Sequence, residues 1–399
     1  MNRKFWHNIH HWVGFKLALF LCFILASGTL AVISHELDWL TNVAVRAEGR
    51  VANQDLNWAA FYRAALAQAG NDTVYQLAVP EHSGFAAEAL VKDENQRRYR
   101  LYFDPVTWQY NGEGRWFNWQ TSLRRIHRHL MLPLNVGLTL VAASSILFLC
   151  SLVTGLILQR QWWRGLWRWP RRTNPRVFWS DLHRLAGLWS SWLLVIVSIT
   201  GLWYLVEKYG LGATYPQDAK AISTVAQQST INVSETVFAN VMHQVSEHRP
   251  ALQVKRVFLP VKSMTTIRID GQEDELLVRD RANNMIFDPL SGELLSTRRG
   301  EDLSLHVRIS EAADPLHFGT WGGLTTKLVY FMFGVVLTLV CLSGTYIYAL
   351  RLLPVRRHQQ IPQRLMFRAA VPAMGWGSGL SAGLIVVCAG MTLLTILSY

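Results

Sequence analysis

Five long apolar runs, separated by charged or mixed stretches, set the plan of the chain: about Trp12 to Ile33, Leu134 to Leu158, Leu185 to Val206, Leu328 to Leu350 and Gly379 to Leu397. A helix needs about 20 such residues to cross a hydrocarbon core, so each run reads as a membrane span. The spans are placed at residues 1–33, 134–158, 185–206, 324–350 and 379–397. The first is too long for the core of a secretory leader and no clear small-residue cleavage site follows it, so it is expected to be retained. The two long connections, 34–133 and 207–323, change period. In the first, a helix from Leu56 to Ala69 precedes alternating runs at Thr73 to Val79, Ala86 to Lys92 and Arg98 to Phe103. In the second, a helix from Ser234 to Ser246 precedes strands near Gln253 to Leu259, Thr265 to Ile269 and Glu275 to Arg279. Each set is followed by an Asp-Pro turn, Phe103-Asp104-Pro105 and Phe287-Asp288-Pro289. The expected fold is an α-helical membrane protein carrying two small α+β domains.

Charge orients it. Residues 1–12, 159–184 and 351–371 hold fourteen basic residues, Arg356, Arg357 and Arg364 among them, against the single acid Asp181; their charge of +13 leaves the rest of the chain, whose total is +12, at −1. The positive-inside rule puts the N-terminus, the basic and Trp-rich 159–184 loop and the 351–378 loop in the cytoplasm, and both long connections in the periplasm of a Gram-negative inner membrane. The basicity is thus a signal of topology in a lipid bilayer and gives no reason to expect nucleic acid.

The same elements occur twice. Phe5 to Gly14 aligns with Phe178 to Gly187 at a shift of 173 residues, which superposes His10 on His183 and Ser27-Gly28 on Thr200-Gly201. Ile126-His127 matches Leu316-His317, and Thr154-Gly155 matches Ser343-Gly344. The plan is therefore helix, outward domain, helix, repeated about a pseudo-twofold axis along the membrane normal, with one extra C-terminal span.

This repeat builds two layers. His10 and His183 sit at the cytoplasmic ends of their spans beside Gly155 and Gly344; His127 and His317 sit at the periplasmic side beside Gly28 and Gly201. Two imidazoles with glycines next to them suit axial ligation of a porphyrin and space for its edge. No Cys-x-x-Cys-His is present, and Cys22, Cys150, Cys341 and Cys388 each lie inside an apolar run. The expectation is two non-covalent b haems with His10, His183, His127 and His317 on the metal. His7 and His11 remain alternatives to His10, and His129 to His127. At about 1.5 Å per residue, His10 to Gly28 spans roughly 27 Å but His127 to Gly155 roughly 42 Å, so a break is expected near Pro133.

His10-x-x-x-Gly14, Asp181-Leu182-His183-Arg184-x-x-Gly187, Ile126-His127-Arg128, Leu316-His317-Phe318-Gly319 and the two Phe-Asp-Pro segments resemble the PepSY-associated transmembrane family, whose iron-related members include inner-membrane ferric-siderophore reductases. The resemblance implies PepSY-like outward domains and haem-mediated electron transfer to a ferric siderophore. Trp108-Gln109 stands where the second copy has Gly292-Glu293, a departure from the usual turn. No glycine-rich nucleotide fingerprint follows a strand, so electrons are expected from a separate donor, a quinol or a cytoplasmic reductase. Three other readings compete: a PepSY regulator that binds a peptide or protease without redox activity, a haem conduit to another periplasmic acceptor, and a transporter. The spans weigh against the last, because beyond Lys16 and Lys327 near their ends they hold no charged relay.

Overall fold

The computed structural model describes residues 2–48, 56–80, 82–219, 232–261, 265–352 and 363–398, with side chains omitted at 363–367; Arg356, Arg357, His358 and the Arg364 side chain therefore lie outside it. The chain separates into two compact units. One comprises Met1–Ser34, Gln120–Gly212 and Leu316–Ser398, the other His35–Trp119 and Ala213–Pro315. Residues 120–133 and 316–323, expected in the outward domains, belong to the helical unit.

Four helices of the first unit are long and apolar enough to cross a membrane: Leu134–Leu158, Pro175–Leu211, Thr320–Leu352 and Trp376–Ser398. The fifth span departs from the expected single helix. It is a pair, α1 (Arg3–Lys16) and α2 (Ala18–Val32), bent by 66°. Leu17 leaves helical geometry at φ −108°, ψ 18°. Neither proline nor glycine sits there, so the cause is tertiary. Lys16 Nζ donates to the Ala373 carbonyl at 2.9 Å, and Gly377 rests against the Lys16 backbone where a Cβ would collide.

Next in the chain come α3 (Ser34–Thr41) and α4 (Trp58–Ala69), which belong to the second unit, then α5 (Trp119–His129) and α6 (Leu134–Leu158). The break expected near Pro133 is present. Leu130 and Met131 both take φ 56°, and Pro133, with φ fixed at −50°, starts α6. After the short α7 (Trp162–Gly165), α8 (Pro175–Val206) begins at an Asn174 cap, its side chain accepting from Val177 N at 2.9 Å with Pro175 in the first turn. The helical unit closes with α11 (Gly323–Leu352), α12 (Gln363–Met374) and α13 (Trp376–Ser398). Packing runs α1 on α6, α6 on α8, α8 on α11 and α11 on α2, with α13 on the outside of α2. Large apolar side chains such as Met332 (66 % exposed) and Val386 (69 %) point outward, as a lipid-facing surface requires.

The second unit is built on one antiparallel sheet, in the order β4-β3-β2-β1-β5-β6-β7-β8. Its strands are β1 Thr73–Ala78, β2 Ala87–Lys92, β3 Arg98–Phe103, β4 Tyr110–Arg115, β5 Gln253–Phe258, β6 Ile267–Gln272, β7 Asn283–Phe287 and β8 Leu294–Arg298. The two segments expected as small domains therefore share one sheet, joined where Gln76, Leu77 and Ala78 pair with Phe258, Val257 and Arg256. A strand at Glu275 to Arg279 does not form. Leu277 there takes φ 59°, which a strand excludes, and the strand lies instead at Asn283–Phe287. β4 and β8 also escape the sequence pattern.

Helices α4 and α9 (Glu235–His248) cover one face, where Phe61, Leu77, Phe103, Phe238, Val257 and Phe287 are buried. Tyr62 and Phe238 stack at 4.2 Å, and Tyr62 donates to the Val233 carbonyl at 2.7 Å. The two Asp-Pro turns have the same chemistry. Asp104 Oδ1 accepts from Val106 N and Thr107 N, and Asp288 Oδ1 from Leu290 N and Ser291 N. Trp108 takes the left-handed φ of 58° that Gly292 takes at 71°, and its ring stacks on Phe61 at 4.7 Å, which offsets part of the backbone strain. Helix α10 (Leu305–Phe318) contains Pro315, after which the chain enters the helical unit.

Candidate functional site

Each of the four predicted histidines meets the Ser/Thr-Gly pair of another helix within its own half of the chain. His10 on α1 places Nδ1 3.0 Å from Thr154 Oγ1 and 3.1 Å from the Ser151 carbonyl on α6. His183 on α8 repeats this with Ser343 Oγ at 2.9 Å and the Val340 carbonyl at 3.1 Å on α11. His127 on α5 has Ser27 Oγ at 3.3 Å, with the Ile24 carbonyl also accepting, both on α2. His317 on α10 has Thr200 Oγ1 at 2.7 Å on α8.

These contacts settle the tautomer of three rings. Carbonyl oxygens only accept, and each of the four hydroxyls spends its own hydrogen on a carbonyl one turn back, as Thr200 does on Ile196 O at 2.7 Å and Ser27 on Ile24 O at 3.1 Å. A carbonyl partner makes Nδ1 the donor in His10, His183 and His127, which leaves the Nε2 lone pair of those rings as the atom that could coordinate; His317 has the same hydroxyl arrangement. An Nδ1–H held by an oxygen is the usual outer support of a metal-binding imidazole.

The glycines seat the rings. A Cβ at Gly28 would come within 2.7 Å of His127 Cε1, at Gly344 within 3.2 Å of His183 Cε1 and at Gly155 within 3.5 Å of His10 Cε1. Gly201 does something else. It lies against the Ser145 hydroxyl and so governs the packing of α6 on α8.

His127 and His317 face each other with ring centres 6.1 Å apart and planes inclined by 34°. Tyr204 and Phe318 meet His317 edge-on at 5.5 Å. Two metal–nitrogen bonds of about 2 Å on opposite sides of one ion place imidazole centres roughly 6 Å apart, so this pair has the span of two axial ligands. His10 and His183 both line a cavity of about 320 Å³, with Gly155, Gly344, Gly14 and Gly187 in its wall. A methyl at Gly14 meets nothing within 4 Å, and one at Gly187 meets only Val340, at 3.9 Å. Gly14 and Gly187 thus open the cavity, a role visible beforehand only as the constant His-x-x-x-Gly spacing. Among the described residues no group of three or more His, Cys, Asp or Glu side chains could hold a bare ion. A donor set of two neutral imidazoles suits a metal whose other ligands come with it, and a porphyrin supplies four.

Of the alternative histidines, His7 and His11 line the same cavity as His10, and the buried Nε2 of His11 has no hydrogen-bond partner among the described residues. His129 Nδ1 binds the Leu132 carbonyl at 2.8 Å in the turn before α6, and His7 Nε2 meets Arg351 at 3.2 Å. His11 packs between Phe15 and Tyr348. Asp181, buried two residues before His183, takes Arg171 at 2.9 Å and Arg184 at 3.5 Å, which fixes the start of α8 against the preceding loop.

The sequence profile of the PepSY-associated TM region matches residues 7–351. A Pseudomonas aeruginosa (strain PAO1) protein described as "Uncharacterized protein PA4219" is 22 % identical over 290 residues, which cover 68 % of this chain and 72 % of that protein. The matched region takes in all four histidines, their hydroxyl tethers and both halves of the sheet, and on that match the chain belongs to the PepSY-associated transmembrane family.

Proposed function

We propose that the chain is a di-haem b electron conduit of the bacterial inner membrane that reduces a ferric siderophore in the periplasm. The observation that carries this reading is the facing of His127 and His317 at 6.1 Å, each ring fixed through Nδ1. His10 and His183 are tethered alike beside their shared cavity and would hold the second haem. When bound, each haem supplies a one-electron Fe(III)/Fe(II) couple.

The chain's own residues bind and orient. Hydroxyl and carbonyl partners at Nδ1 orient the four imidazoles, and Gly14 and Gly187 leave the cavity open beside His10 and His183. The basic excess at residues 1–12, 159–184 and 351–371 supports placing His10 and His183 on the cytoplasmic side and the internal repeat in parallel orientation. The sheet unit, with its two PepSY-like halves, is then periplasmic. Electrons come from a quinol or a cytoplasmic reductase, and the substrate Fe(III) accepts one. Fe(II) binds hard oxygen ligands more weakly, and the metal is released.

The test uses haem-loaded protein, reduced anaerobically with dithionite, freed of excess reductant and mixed with ferric chelates beside an Fe(II)-specific chromophore. Reoxidation with matching Fe(II) capture, lost in His317→Ala, is expected. Protein that stays reduced in the presence of every ferric chelate contradicts the assignment.

A further inference from the structure

The face of the sheet opposite α4 and α9 is unevenly built. Register places Thr73, Lys92 and Arg98 in one row across β1, β2 and β3. A bulge in β1 between Val74 and Gln76 inserts Tyr75, and a bulge re-aims a side chain. The Tyr75 ring lies under Lys92 Nζ at 5.2 Å, on the same face as that row. Its hydroxyl is buried without a hydrogen-bond partner. Beside it, Arg98 and Arg100 both lie over the Trp116 ring, at 5.1 and 4.8 Å.

Arg100 is neutralised by Glu88, whereas among the described residues neither Lys92 nor Arg98 has an acidic partner. Burial raises the Tyr75 pKa while Arg98 and Arg100 act to lower it, so both cations lie within electrostatic reach of the phenol. The other half of the sheet lacks this arrangement. Gln272 takes the place of Lys92 in the matching Gln253 and Gln272 pair, and its arginines are paired: Arg268 with Asp270, Arg256 with Asp280, Arg249 with Glu273.

Unpaired cations lying over aromatic rings, next to a buried hydroxyl left without a partner, favour an anion that is itself aromatic. We propose that Tyr75, Lys92, Arg98 and Trp116 form the docking site for the ferric substrate, and that they select a trianionic tris-catecholate chelate over a neutral tris-hydroxamate one. This rests on the reductase reading for its biological sense and on the sheet alone for its geometry.

The test separates the two by using gallium(III), which binds the same chelators as Fe(III) but is not reduced. Titration calorimetry on the full chain in detergent compares the Ga(III) complexes of a hexadentate tris-catecholate and of a linear tris-hydroxamate. The catecholate complex is expected to bind more tightly by about tenfold and to weaken with added salt. A Lys92→Gln, Arg98→Gln double variant should lose about tenfold of that affinity, with hydroxamate binding unchanged. Both side chains are at least partly exposed, so the fold should tolerate the change, and Tyr75→Phe gives a second variant that removes only the unpartnered hydroxyl. Equal affinity for the two complexes, binding of neither, or catecholate binding that ignores all three substitutions overturns the proposal. A protein that binds the gallium complex as expected but never reduces iron removes the reductase reading and leaves the site standing.

Discussion

His127 and His317 face each other with ring centres 6.1 Å apart, whereas His10 and His183 look onto a cavity of about 320 Å³. Both pairs use one local device. A Ser or Thr hydroxyl meets Nδ1, and in three of the four cases the following glycine admits the imidazole against the helix backbone. What differs is the support. His127 and His317 end short helices that stop at left-handed turns, Leu130 and Met131 in one case and Gly319 (φ 68°) in the other. His183 lies inside the 32-residue α8, and His10 on α1 just before the 66° bend. One pair is set by turns, the other by continuous helix and a bend, so the pairs should fail differently.

The largest difference is expected from ring deletion. His127→Ala or His317→Ala should lose one haem of two per chain, and added imidazole should not restore it, because each ring's place is bounded by its facing partner at 6.1 Å and, for His127, by the Gly28 backbone. His10→Gly should lose the other haem and regain it with millimolar imidazole, since the vacated space opens onto the cavity. Pyridine haemochrome assay with and without imidazole reads both; rescue at His127 would break the comparison.

Glycine substitutions sharpen it. Gly28→Ala forces a methyl to 2.7 Å from His127 and should destabilise the holoprotein by about 1–3 kcal/mol, the range for overpacking. Gly344→Ala at 3.2 Å should cost less and Gly155→Ala at 3.5 Å almost nothing. Thermal release of haem ranks the three; the reverse order would show that the seats are not what the glycines provide. Removing a tether is a smaller change. Thr200→Val should weaken haem retention about tenfold. Thr154→Val should leave part of the tether in place, because the Ser151 carbonyl still accepts from His10.

The smallest effect concerns pH. Burial alone pushes the Glu311 carboxyl up, but hydrogen bonds from Arg279 and the charges of Arg279 and Arg281 outweigh it and hold it below the usual range. A depressed folded value contributes stability above the ordinary carboxylate pKa, and this is lost as pH falls through the folded one. Acid unfolding of the sheet unit should be less steep in Glu311→Gln, followed by circular dichroism.

The four histidines and the layer each shares with a glycine were legible because the internal repeat isolates His10, His183, His127 and His317 from nine other histidines, whereas the neighbouring Ser and Thr hydroxyls as their tethers were not. The strands Thr73–Ala78, Ala87–Lys92 and Arg98–Phe103 followed from alternation. β4, Tyr-Asn-Gly-Glu-Gly-Arg, was not legible, since its glycines fit only by lying against Ala44 and the Tyr102 ring, a tertiary reason. The bend at Leu17 depends on Ala373 and Gly377, more than 350 residues away, and no local breaker announces it. Pairing of β1 with β5 joins two segments that read as separate domains, because edge pairing leaves no period in either strand. Gly14 and Gly187 were visible as spacing but not as the open wall of a cavity.

The most direct measurement is haem per chain in purified protein, with oxidised and reduced spectra and low-temperature electron paramagnetic resonance, for the parent, His10→Ala and His317→Ala. The account predicts two low-spin b haems per chain, with each variant losing one and the two losses removing different signals. A colourless protein from haem-replete cells, or variants that keep both haems, would contradict it.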